Sequence, residues 1–140
     1  NLFLQGRGTA PMPRGLTAVA ALRAAGVNVA AGADNLQDPF NPMGRACPFE
    51  TASLMVMTSH LLPHEAWSSV TGAAASSVGR LANTVAVGQP ANLLAVPATT
   101  VREAIAFAPS QRMVMHRGRL IDETNCSRSG SGRAAAADLG

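Results

Sequence analysis

Lysine is absent from this sequence. All eleven basic residues of the 140-residue chain are arginines, set against eight acids for a formal charge of +3. With alanine so abundant, the missing lysine reads as a compositional bias and not as a functional signal. A nucleic-acid binder gathers its cations on one face. Here they stand singly, at Arg7, Arg14, Arg23, Arg45, Arg80 and Arg102, so no nucleic-acid partner is expected. Cysteine is scarce. Cys47 and Cys126 are too few for a disulfide scaffold and lack metal-site spacing; free thiols in a reducing cytoplasm are the expectation. No apolar run approaches the roughly 18 residues of a membrane-spanning helix, so no membrane partner is expected. The opening Asn-Leu-Phe-Leu-Gln-Gly lacks the order of a signal peptide and has no initiator Met. The chain is therefore expected to begin inside something longer. There is also no Gly-x-Ser-x-Gly elbow and no phosphate loop.

What is present alternates between helix and strand signals. Residues 1–6 read as the end of a strand, and 7–14, with its Gly and Pro, as a connection. Residues 15–25 carry helical spacing at Leu16, Val19, Ala20 and Arg23, with Gly26 placed for a C-terminal cap. The apolar run 27–31 predicts a strand buried on both faces in a parallel sheet. A long polar loop follows, Gly32 to Gly44, its path fixed by Pro39 and Pro42. Residues 49–62 resume helical spacing along Leu54, Met57 and Leu61, and Pro63 opens a helix running to about Val78, with Glu65 in its first turn. Strands are expected at 84–87 and 91–96. Thr100 to Glu103 spells a capping box for a helix to about Phe107. A hairpin is expected from 112–116 and 119–122 around Arg117-Gly118. Residues 123–140 read as a disordered Ser/Gly/Arg/Ala tail.

Few residues are placed for chemistry. Asp34 lies just past the carboxyl end of the 27–31 strand, where α/β enzymes assemble their sites. An aspartate capping its own turn is the competing account. Asp38 precedes Pro39 and reads as a turn starter. His60 and His64 are separated by Pro63 and read as surface or capping histidines, and His116 stands alone in the hairpin. Trp67 and Met43, Met55 and Met57 read as core or gap-filling residues.

The loop Gly32-Ala-Asp34-Asn35, Asp38-Pro39-Phe40, Pro42 and Gly44 resembles the segment after the eighth barrel strand of cytosine deaminases, in the metal-dependent amidohydrolase superfamily. Three other stretches resemble that superfamily in the same order. Asn1 to Arg7 is similar to the end of its seventh strand. Gly88-Gln-Pro-Ala-Asn92-Leu93 is similar to its return strand, with Asn where many members have Asp. Val114 to Ile121 is similar to its final strand pair.

The resemblance implies an α/β fold: the last part of a (β/α)₈ barrel over 1–80, then part of a small β-sandwich domain over 81–122, with 123–140 as the tail. A whole barrel needs about 250 residues, so the fold is expected to be incomplete. It implies that Asp34 is both a ligand to a divalent metal, iron or zinc, and the group that handles the proton of the attacking water. It implies that Asn35 and Phe40 bind substrate. Asn35 stands where those enzymes carry Asp, and Phe40 where Trp is frequent. Isocytosine, creatinine and triazine derivatives are therefore candidate substrates beside cytosine. The implied reaction is hydroxide attack on a ring C–NH₂ carbon with release of ammonia, in a homo-oligomeric, cytoplasmic parent. The superfamily's His-x-His pair and acid/base Glu are not in this sequence, and a catalytic metal site usually takes at least three protein ligands. The 140 residues alone are expected to be inactive. A non-catalytic remnant or packing partner is the alternative.

Overall fold

The computed structural model describes residues 8, 10, 15–80 and 84–121. The expected strand at 1–6, most of the connection at 7–14, and the tail at 123–140 with Cys126 lie outside the described residues. The chain is α/β: a group of short helices followed by a small antiparallel sheet.

Helix α1, Val19–Ala24, is shorter than its spacing predicts, but it ends as expected. Gly26 takes φ +77° beyond it, a backbone conformation that costs glycine little. Pro48 opens α2, Pro48–Ser59, and Pro63 opens α3, Pro63–Val70. A first-turn proline gives up an N–H that had no helical partner anyway. The expected single helix to Val78 is interrupted. Thr71, at φ −123° and ψ −90°, turns its hydroxyl back to donate to the Trp67 carbonyl at 2.7 Å, and α4, Gly72–Ser77, starts afresh.

After β1, Leu93–Ala95, comes α5, Val101–Phe107. The Thr100 hydroxyl accepts the Glu103 N–H at 3.0 Å as the capping box predicts. The return leg slips by one residue, because Glu103 accepts from the Thr99 N–H and hydroxyl instead. Strands β2, Met113–His116, and β3, Arg119–Ile121, form the expected hairpin. Arg117 and Gly118 both have positive φ, +49° and +78°, as a two-residue turn matched to strand twist requires. The sheet order is β1-β2-β3, antiparallel, with Leu93 opposite Met115 and Met115 opposite Leu120.

The core joins these pieces. Val19, Phe49, Ala52, Leu61, Ala66, Ala104 and Ile105 are buried, with Trp67 and Met55 packed against them. Burying a side chain such as Phe49 or Ile105 is worth about 1.5–3 kcal/mol. Phe49 stacks on Trp67 with ring centroids 5.0 Å apart, and the Arg112 guanidinium lies over the Phe49 ring, 4.8 Å from its centroid. Arg112 is itself buried and donates to the Pro109 carbonyl at 2.7 Å and to Cys47 Sγ at 3.3 Å. It thereby fastens the approach to the hairpin onto the start of α2.

Several expectations need correction. The stripe Leu54, Met57, Leu61 is not the buried face of α2. Leu54 and Met57 are exposed, and Phe49, Thr51 and Ala52 go inward, because α3 and α5 pack on that side. Met43 and Met57 are not gap fillers, at 77% and 64% exposure. Residues 27–31 form no ladder among the described residues, and Val27 is exposed; the Ala31 N–H donates instead to the Ser69 carbonyl at 3.0 Å. Residues 84–87 are likewise exposed and form no ladder in the described structure, and the 91–96 strand shortens to β1. An apolar run becomes a strand only where a neighbouring backbone completes its hydrogen bonds. No helix among the described residues is long and apolar enough to cross a membrane.

Candidate functional site

The 32–47 loop leaves the extended run 27–31 and returns to the buried start of α2. Asp34 sits two residues into it, at φ +57°. That left-handed conformation is uncommon outside glycine, though Asp and Asn tolerate it best. Its side chain is exposed, and no described residue bonds its carboxylate. The turn-capping account of Asp34 therefore lacks the bond that would define it. A hollow of about 150 Å³ between Ala31, Gly32, Ala33 and Ala46, Cys47, Pro48 lies next to it in the chain. A larger one, about 250 Å³ and lined by Phe49, Trp67, Leu94 and the start of α5, is not lined by Asp34, Asn35 or Phe40.

The turn that follows is organised by Asp38, as its place before Pro39 predicts. One carboxylate oxygen accepts the N–H groups of Phe40 and Asn41, both at 2.9 Å. The other accepts the Asn35 side-chain amide at 2.6 Å. Partial withdrawal from water pushes the Asp38 pKa up. The bonds from the Asn41 N–H, the Asn35 amide and the Phe40 N–H outweigh it and leave the carboxyl below its ordinary value. Asn41 in turn donates its side-chain amide to the Asn35 carbonyl at 3.0 Å. Gly44 is buried against this pair, and a Cβ there would meet the Asn35 oxygen at 2.6 Å. The glycine is needed for close approach and not for an unusual φ.

The loop thus carries Asp34, Asn35 and Phe40 within seven residues. Asn35 is half-buried with its amide engaged, and Phe40 is 47% exposed. His60, His64 and His116 are all exposed and belong to other segments. Among the described residues no three His, Cys, Asp or Glu come together as a metal cluster. Sequence reading missed the part played by Asn41, whose side chain closes the loop. An Asx residue three positions after Asp38 was the available signal. It also missed the buried pairing of Arg112 with Cys47, which is 65 residues away in the chain and carries no local pattern.

Comparison with known proteins gives the loop a context. The family described as "Amidohydrolase family" matches residues 1–122. A pterin deaminase of Rhizobium rhizogenes is 37% identical over 130 residues, 89% of this chain and 30% of that protein. Among solved structures, 5-methylcytosine deaminase from Klebsiella pneumoniae liganded with 5-fluorocytosine is similar at a TM-score of 0.72 and 30% identity. The match covers 87% of this chain and 31% of that one. N-isopropylammelide isopropylaminohydrolase from Burkholderia multivorans is similar at a TM-score of 0.71 and 31% identity, over 84% of this chain and 30% of that one. The chain spans about 30% of the length of these relatives.

Proposed function

This chain belongs to the amidohydrolase family, and on that premise we propose that the protein carrying it hydrolytically deaminates a nitrogen heterocycle. Cytosine and related ring amidines are the first candidates, and pterins stand beside them. The observation that carries this reading is the similarity over most of the chain to three enzymes whose names all describe loss of an amino or alkylamino group. The chain's part is the end of a (β/α)₈ barrel over residues 1–80 and a piece of a small β-domain over 81–122.

Asp34 fits a divalent metal by its chemistry. Its carboxylate is exposed and without an internal partner, and iron and zinc both accept such an oxygen. It would be one ligand among several, since no three His, Cys, Asp or Glu come together among the described residues. These residues alone would then be inactive. When bound, the ion would make water acidic enough to lose a proton near neutral pH. Asp34 would take that proton on a carboxylate oxygen and return it to the leaving amine. Phe40 would offer a flat apolar wall to the ring. Asn35 would hydrogen-bond the ring edge and fix which carbon faces the attack.

The test is ammonia release by the full-length protein, loaded in turn with iron and zinc, on cytosine, isocytosine, creatinine, a triazine amine and pterin. The expected result is stoichiometric ammonia and oxo product from at least one of them. Release from none with either metal would overturn the proposal.

A further inference from the structure

Asp38 organises a turn, but its contacts decide more than loop shape. Its Oδ2 accepts the Asn35 Nδ2 hydrogen at 2.6 Å, and its Oδ1 accepts the backbone N–H groups of Phe40 and Asn41. A carboxylate can only accept. The Asn35 amide therefore cannot be reversed end for end, because that would set two acceptor oxygens against each other at hydrogen-bond distance. Oδ1 of Asn35, on the other branch of Cγ, faces away from Asp38, and no described residue donates to it. The Asn35 backbone is held as well, by the Asn41 side chain on its carbonyl and by Gly44 packed against the same oxygen.

We propose that Asp38 is a positioning residue for the substrate site. It fixes Asn35 with its carbonyl oxygen outward and pins the backbone of Phe40, so that the loop selects rings that turn an N–H toward Asn35. The inference rests on the reading of Asn35 and Phe40 as substrate-binding groups. Asp38 does not touch the substrate; it sets the polarity of the residue that does. A merely structural turn would hold Phe40 and Asn41 equally well with an asparagine at 38, since one oxygen serves both N–H groups.

That difference is the test. In the full-length protein, Asp38→Asn keeps Oδ1 for the two backbone bonds but replaces the acceptor facing Asn35 with a donor. The Asn35 amide then turns over and presents N–H groups outward. Steady-state deamination of cytosine, isocytosine and pterin is compared with that of their ring-N-methyl analogues. For the parent rings the expected loss in kcat/KM is about tenfold or more, mostly in KM, and the preference over the N-methyl analogues collapses. The double variant Asn35→Asp/Asp38→Asn restores a donor–acceptor pair with its direction reversed and an oxygen outward, and should recover most of that loss. An equal loss on both members of each pair, or a double variant no better than the worse single one, would overturn the proposal. If the wild-type protein deaminates none of these rings, the proposed function has failed. The inference is then read from the Asn35 side-chain amide by NMR. One amide proton shifted downfield and slow to exchange, and altered in Asp38→Asn, supports it. Solvent-like signals unchanged by the substitution overturn it.

Discussion

Gly44→Ala measures how tightly the 32–47 loop is built. A Cβ on residue 44 would lie 2.6 Å from the Asn35 carbonyl oxygen and 2.8 Å from the Asn41 side-chain nitrogen. The first contact is nearly an ångström inside ordinary van der Waals distance, and it is with backbone, which cannot swing aside. Either the loop shifts or the 3.0 Å bond from Asn41 to Asn35 opens. Overpacking of this kind costs about 1–3 kcal/mol, and the lost hydrogen bond adds about 0.5–1.5 kcal/mol. Gly32→Ala is the matched control in the same loop. Nothing lies within 4 Å of its would-be Cβ, and its φ is not positive. Removing that glycine's freedom in the unfolded chain should stabilise by about 0.4–1 kcal/mol. Urea unfolding of the two full-length variants, at unchanged m-value, should therefore move the midpoint in opposite directions. Gly44→Ala should also weaken substrate binding more than its stability loss explains. Equal midpoints would refute the close-packed loop.

Arg112→Met keeps the side chain's bulk but removes the donor to Pro109, Ala108 and Cys47 and the cation over Phe49. A loss of about 2–4 kcal/mol is expected by denaturant unfolding. Thr100→Ala removes the N-cap acceptor of α5 and should cost about 1 kcal/mol, with Thr100→Ser nearly silent. Asp38, Glu65 and Glu103 all have pKa values lowered in the folded state: Asp38 by the Asn41, Asn35 and Phe40 bonds against some burial, Glu65 chiefly by the Leu62 N–H, and Glu103 by Thr99. The unfolded state thus binds more protons, so the stability they lend is full above the ordinary carboxylate range. It should fall as pH drops below that range through the lowered values. Unfolding midpoints measured along an acid titration check this, and Asp38→Asn should flatten the fall.

Local chemistry made part of this structure legible from the sequence. Pro63 marks a helix start, Gly26 marks a helix end, and Thr100 with Glu103 marks α5. Arg117-Gly118 marks the hairpin turn through its glycine, which takes positive φ at little cost, whereas Arg117 takes it less readily. The loop 32–44 was legible as a loop, and Asp34 as the residue at its mouth. What failed depended on distant partners. The spacing of Leu54, Met57 and Leu61 fits a helical stripe, but which stripe is buried was decided by α3 and α5. The run 27–31 has strand composition, yet in the described structure its N–H groups go to a helix end and to α3, Val27 to the Leu22 carbonyl and Ala31 to the Ser69 carbonyl. Asn35 could be picked out by resemblance, whereas the direction of its amide follows only from the Asp38 contact.

Asp34 is proposed as a metal-binding and proton-handling carboxylate in a ring deaminase. That role is tested most directly by metal content and ammonia release in the full-length protein and in Asp34→Asn, measured side by side. The substitution should lower bound metal and remove turnover by at least about a hundredfold while the folded protein persists. Wild-type turnover and metal content in Asp34→Asn would contradict it.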